Sequence, residues 1–217
     1  MSVTAEEILN RLKALANPAK AAGLARFGIQ TGQAYGISVP ALRRLAKEVG
    51  HDHRVAQALW KSGLHEARIL ASLVDDPAQV TEAQLERWVK DFDAWDICDQ
   101  CCLNLFRLTP YAYRKVGEWS QREEEFVKRA AFALLAVLAM HDRSADDEVF
   151  RRCLPLIKRA ATADRNFVKK AVNWALRQIG KSRPSLRAQA IQTAKEIQHL
   201  EAPSARWIAA DALRELA

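Results

Sequence analysis

The sequence predicts an all-α chain folded as a right-handed α-solenoid of repeated helix pairs, with a concave basic groove. Three observations point there. Only 8 Gly and 7 Pro occur in 217 residues, and the stretches between them are rich in Ala, Leu, Glu, Lys, Arg and Gln, the strong helix formers. No segment alternates apolar and polar residues long enough to argue a strand. A helical segment also recurs: Phe126-Val-Lys-Arg-Ala130 and Phe167-Val-Lys-Lys-Ala171 stand 41 positions apart. Looser versions are Glu66-Ala-Arg-Ile-Leu-Ala71 and Ala205-Arg-Trp-Ile-Ala209. Helix pairs recurring at roughly 30–45 residues mark a HEAT-type stack, in which the second helices of successive pairs line the concave side.

The elements follow in order. Thr4-Ala-Glu-Glu7 is a capping box that opens a helix to about Ala16. Asn17-Pro18 opens the next, running to about Phe27. Gly28 to Val39 has three glycines and no period, and reads as the longest irregular loop. Pro40 opens a helix to Val49, stopped by Gly50, with Leu42 and Leu45 inward and Arg43, Arg44 and Lys47 outward. Paired helices follow: His53 to Ser62 and His65 to Val74; Thr81, at a second capping box, to Asp91 and Asp93 to Leu105; Tyr111 to Trp119 and Glu123 to His141. Asp146 to Ala163 carries Pro155, which must kink it or break it. Asn166 to Gly180, Pro184 to His199 and Ser204 to Ala217 complete the set. This makes 1–217 a single solenoid domain, with N-terminal helices over 1–50 and helix-pair repeats over 51–217.

With 33 Lys and Arg against 26 Asp and Glu, the formal charge is +7. The basic residues are spread along the chain without a tail, so a shared face would attract an anionic polymer. A plain solvated surface accounts for the same excess. Met1 to Leu15 carries Glu6 and Glu7 and lacks a leader's apolar centre, and Ala130 to Met140 is too short to cross a bilayer. Cys98, Cys101 and Cys102 crowd one helical turn, and neither they nor Cys153 has a zinc-spaced partner set. They read as buried thiols of a cytoplasmic protein with no metal and no cofactor.

The stretch Asp93-Ala-Trp-Asp-Ile-Cys-Asp99 carries the candidate chemistry. Trp95 and Asp99 are four apart and stand on one helical face, with Cys98, Cys102, Leu105 and Phe106 toward the core. An aromatic plate beside a carboxylate suits a positive charge. A Trp half in the core and an Asp paired with an Arg of the next helix would look the same. The repeat adds an expectation: Arg68, Asp99, Arg129, Lys170 and Trp174 come from equivalent helices and face one groove. Lys128, Arg129, Lys169, Lys170 and Arg177 would then suit phosphates, and the tryptophans a cationic or planar group. The carboxylate would stabilise a developing oxocarbenium ion or orient a water. Trp60, Trp88, Trp119 and Trp207 fall at apolar periodic positions and read as packing. His65 and Glu66 read as a capping or surface feature, and Asp96 as a cap or an Arg partner. Lys47, Lys181 and Arg183, with Arg43 and Arg44, are further phosphate candidates. Gly32, Gly36 and Gly180 read as backbone devices.

Taken together, these motifs resemble the DNA alkylation repair glycosylases of AlkD type, which are HEAT-like solenoids. The resemblance rests on Gly36-Ile-Ser-Val-Pro-Ala-Leu-Arg43, Leu59-Trp60 and His65-Glu-Ala-Arg-Ile-Leu70. It continues through Trp95-Asp-Ile-Cys-Asp99, Lys128-Arg-Ala-Ala131 and Phe167-Val-Lys-Lys-Ala-Val-Asn-Trp-Ala-Leu-Arg177. It implies that Asp99 is the catalytic carboxylate, that Trp95 and Trp174 contact the lesion's deoxyribose, and that Arg129 holds the backbone near the site. It also implies action without flipping the base into a pocket. The family adds an N-terminal aromatic near the lesion, for which Phe27 and Tyr35 are the two candidates here; with Phe27 the family's hydroxyl is absent. The implied activity is excision of positively charged N3- or N7-alkylpurines from double-stranded DNA by a monomer, leaving an abasic site. A solenoid that binds DNA without excision, or a protein-binding scaffold, are the other functions such a chain serves.

Overall fold

The structure, a computed structural model, describes residues 3–29 and 33–217. Gln30, Thr31 and Gly32 of the long loop lie outside the described residues. Among the described residues all regular structure is helical: fourteen α-helices and three 3-10 turns. None of these helices is long and apolar enough to cross a membrane. The chain forms two compact units, Met1–Thr109 and Pro110–Ala217.

The first unit holds α1 (Ala5–Ala14), α2 (Pro18–Gly23), α3 (Val39–Val49), α4 (His53–Lys61), α5 (His65–Val74), α6 (Glu82–Lys90) and α7 (Trp95–Asn104). The box opening α1 is complete: the Glu7 amide donates to Thr4 Oγ1 at 3.2 Å, and the Thr4 amide to Glu7 Oε2 at 2.8 Å. At Thr81 it is half made. The Gln84 amide donates to Thr81, but the Gln84 side chain turns away to the buried Asp75 at 2.6 Å. The second helix ends at Gly23, earlier than its sequence suggests, and Leu24–Phe27 tightens into a 3-10 turn. The core is aromatic. Trp60 and Trp88 stack with centroids 4.0 Å apart and planes 2° from parallel, and Phe92 and Phe106 continue the row.

The second unit holds α8 (Ala112–Ser120), α9 (Glu125–His141), α10 (Asp147–Arg151), α11 (Leu154–Ala160), α12 (Asn166–Ser182), α13 (Arg187–Gln198) and α14 (Pro203–Leu216). Pro155 breaks the expected long helix in two. It sits in the first turn of α11, where its missing N–H would have had no helical partner. Helix α9 is buried on nearly every side from Val127 to Ala139 and forms the centre of the unit, packed on α8 and α12. The copied segments lie side by side, Phe126 on Phe167 at 5.4 Å. At Gly180 an added Cβ would lie 2.7 Å from Leu216 Cδ1, so this glycine lets α12 approach α14.

Side-chain bonds between successive helix pairs recur at a fixed spacing. In the first unit Trp60 Nε1 donates to Asp91, His65 bonds Asp96 and Arg87 donates to Gln57, all at 2.9 Å and across 30 or 31 positions. In the second unit Arg129 to the Phe167 carbonyl, Lys158 to Glu196 and Asn173 to Asp211 each span 38. Within each unit, helix pairs are thus tied to their neighbours at a recurring spacing, as stacked repeats are.

Arg183 departs from its sequence reading. It is a buried cap and not a phosphate contact. Its guanidinium donates to the carbonyls of Ala139 at 3.2 Å, Ala145 at 3.0 Å and Asp142, pairs with Asp147 at 3.3 Å and lies 4.2 Å over the Phe150 ring. The Ala139 and Asp142 carbonyls are open groups at the end of α9, which need buried donors, and the Ala145 carbonyl belongs to the turn that follows. Arg183→Ala will lower unfolding free energy by about 2–4 kcal/mol in urea titration, since several charge-assisted bonds go together. A change within the scatter of surface substitutions would refute the capping role.

Candidate functional site

Trp95 opens α7, and Asp99 follows one turn later on the same face; both are half-buried. The same helix is fixed in the core by Ile97, Cys98, Cys101 and Cys102, with Leu105 and Phe106 just beyond, all buried. The cysteines are free thiols, and burial pushes Cys101 and Cys102 well above the usual thiol range. Among the described residues no group of His, Cys, Asp and Glu could hold a metal.

The entry to α7 is braced from α5. Arg68 lies over the Trp60 ring and donates to the Asp91 carbonyl at 3.1 Å and to Asp93 at 3.4 Å, holding the turn before Trp95. Asp96 does pair with a cation, but the cation is His65, at 2.9 Å, and Asp96 also accepts from the Ile97 amide. Burial works against a charge on His65. The hydrogen bond and charge of Asp96, with Glu66 and Asp93 nearby, outweigh it, and the imidazole is raised above 6.5. A raised base contributes stability that is whole below its unfolded value and lost as pH climbs through its folded value. Melting temperature will therefore fall as pH rises from about 6.5, and His65→Gln will remove that dependence; an unchanged pH profile in His65→Gln would discount the pair.

His65 and Glu66 are not surface features. Glu66 is 1% exposed, and its carboxylate accepts the backbone amides of Tyr35 at 2.9 Å, Gly36 at 2.6 Å and Ile37 at 3.1 Å. Gly36 has φ 72°, and a Cβ there would meet the Ala21 amide nitrogen at 2.4 Å and the Asn17 carbonyl at 2.6 Å. Only glycine fits that turn. The segment so anchored leaves the 50%-exposed Phe27 beside the candidate pair: the Trp95 indole N–H donates to the Phe27 carbonyl at 3.2 Å. Of the two aromatics the sequence offers, Phe27 is the one tied to Trp95.

The basic residues separate into two groups. Arg43 and Arg44 are exposed on α3, as is Lys47, while Leu42 and Leu45 are buried. Lys170 is exposed on α12, where Trp174 is half-buried. The others are engaged within the protein. Arg129 is 5% exposed and donates to the Phe167 carbonyl at 2.7 Å, so it is a fixed, buried charge and not a surface hook. Lys128 pairs with Glu123 at 3.1 Å. Arg177 lies between Asp211 at 2.7 Å and Glu215 at 3.0 Å, and Lys181 also pairs with Glu215. Lys128, Arg177 and Lys181 are thus members of ion pairs in the free protein.

Among the tryptophans, Trp60, Trp88 and Trp119 are core, as their periodicity indicates. Trp207 is not: it stands 41% exposed on α14, with Lys169 Nζ 5.0 Å over its ring.

No curated protein matches the chain by sequence. A solved structure matches over 99% of this chain and 96% of its own, with TM-score 0.82 and 18% identity. It is described as representing a new family of proteins related to the HEAT-like repeat DNA glycosylases, with affinity for branched DNA structures. The likeness establishes the HEAT-like helical fold. Residues 8–216 match the family described as DNA alkylation repair enzyme. With nearly the whole length matched, the chain belongs to the DNA alkylation repair enzyme family.

Proposed function

We propose that this protein is a DNA glycosylase that removes positively charged N3- or N7-alkylated purines from duplex DNA and leaves an abasic site. The observation that carries the reading is the Trp95–Asp99 pair at the start of α7 in a chain of this family. Alkylation at N3 or N7 gives the purine a formal charge and weakens its bond to deoxyribose. The base then leaves neutral, so no general acid is required. What remains is to stabilise the oxocarbenium ion on the sugar, or to orient the water that attacks it; one fixed carboxylate does either. Trp95 offers its ring to the cationic sugar, and Trp174 is proposed as a second lesion contact. Arg129 serves as a fixed positive charge toward the phosphate backbone, while Arg43, Arg44, Lys169 and Lys170 supply the mobile phosphate contacts. No metal or cofactor enters this chemistry.

A second reading, DNA binding without excision, is supported by the affinity for branched DNA of the structurally similar protein. Base release from duplex DNA containing N7-methylguanine separates the two. Released base supports the glycosylase. Salt-dependent binding with no release from several alkylated substrates favours the second reading, and absence of both removes DNA as the partner.

A further inference from the structure

The copied segments of the second unit define a register. Arg129 of α9 and Lys170 of α12 occupy the same place in Phe-Val-Lys-Arg-Ala and Phe-Val-Lys-Lys-Ala, 41 positions apart. Burial shifts the sequence match of Ala205–Ala209 by one place: the buried Val168, Ala171, Val172, Ala175 and Ile179 of α12 correspond to the buried Ala205, Ile208, Ala209, Ala212 and Leu216 of α14, 37 apart, which puts Trp207 at the position of Lys170. The two helices pack along their length, tied by Asn173 and Arg177 to Asp211. Trp207 thus continues, on the last helix, a line that basic residues hold on the two before it.

Its surroundings are cationic. Lys169 lies over the ring, and Lys170 and Arg206 are exposed on the same turns. The carboxylates of α14, Asp211 and Glu215, lie further along the helix and are held by Asn173, Arg177 and Lys181. On the other side of Trp207, Glu201 precedes the helix, and Arg206 donates to its backbone carbonyl. An indole open to solvent among three cations is what a nucleic-acid strand needs where a base is unpaired: the ring takes the base face and the lysine the adjoining phosphate.

We propose that Trp207 and Lys169 form a stacking platform for an unpaired base of branched or single-stranded DNA. The proposal rests on the DNA-binding reading above. A paired base inside a duplex hides its face, so the platform distinguishes strand structure and contributes little on blunt duplex.

The test is a fluorescence-anisotropy titration of wild type, Trp207→Ala and Trp207→Phe against a forked DNA with single-stranded arms and a blunt duplex of equal length. Trp207→Ala will weaken fork binding about ten-fold and duplex binding less than about two-fold, and Trp207→Phe, which keeps a ring, will recover most of the loss. Equal affinity of wild type and Trp207→Ala for the fork would overturn the platform while leaving DNA binding intact. So would equal losses on fork and duplex. A wild type that binds neither DNA would instead remove the DNA reading itself, and leave Trp207 as a contact for a protein.

Discussion

Asp99→Asn will release N7-methylguanine from duplex DNA at least about 100-fold more slowly than wild type, with little change in DNA affinity. The substitution keeps the shape of the side chain and removes its charge. Asp99 lies on a helix that Ile97, Cys98, Cys101 and Cys102 fix in the core, so its position is set before substrate arrives. A preorganised charge of this kind acts on the transition state, where the sugar becomes cationic, and little on the ground state. The loss should therefore appear in single-turnover rate and not in binding. Chromatography of released base gives the first quantity, and anisotropy the second. Undiminished release by Asp99→Asn would sink the assigned mechanism even if the enzyme proved active.

Glu66→Ala will have the larger effect on stability, about 3 kcal/mol by chemical denaturation. The carboxylate accepts three backbone amides at the Tyr35–Ile37 turn, and each donor left without a partner in the interior costs about 1–3 kcal/mol. Gln at this position can keep Oε1, which receives all three amides, but turns Oε2, which also accepts Tyr35 at 2.9 Å, into a donor, so Glu66→Gln should cost about 1–2 kcal/mol, less than Ala. If Ala and Gln destabilise alike, the amides are being satisfied by water and the turn is not organised by Glu66.

Glu66 also shows what a sequence conceals. Its partners are main-chain amides, and these leave no side-chain signature; the trace available was Gly36, thirty positions away, read as a backbone device without its partner. The helices were legible because each carries its own evidence: the Thr4–Glu7 box, Pro at first turns, apolar residues at helical spacing. The Trp95–Asp99 pairing was legible for the same reason, as a local i, i+4 relation. Arg129, Arg177, Lys181 and Arg183 were not. A basic residue looks the same in sequence whether it faces solvent or a carboxylate. Asp211 and Glu215 lie 34 positions beyond Arg177 and Lys181, where the register of one helix against the next sets the pairing. Trp207 failed in the opposite direction: its apolar character suggests the core, but the buried positions of α14 are taken by Ala205, Ile208, Ala209 and Ala212, and Trp207 falls outside that stripe.

The bond from Trp95 to the Phe27 carbonyl spans 68 positions, the farthest reach of the described side-chain hydrogen bonds, against 30 or 31 for the ties between neighbouring pairs. Closing a loop twice as long costs about 0.6 kcal/mol more, and this bond is exposed. A ligand that claims the Trp95 indole N–H competes with a solvent-accessible hydrogen bond and not with the ties of Trp60, His65 and Arg87 between neighbouring pairs. The aromatic ring closest to the proposed chemistry can thus be remade around a guest while the scaffold beneath it stays cold.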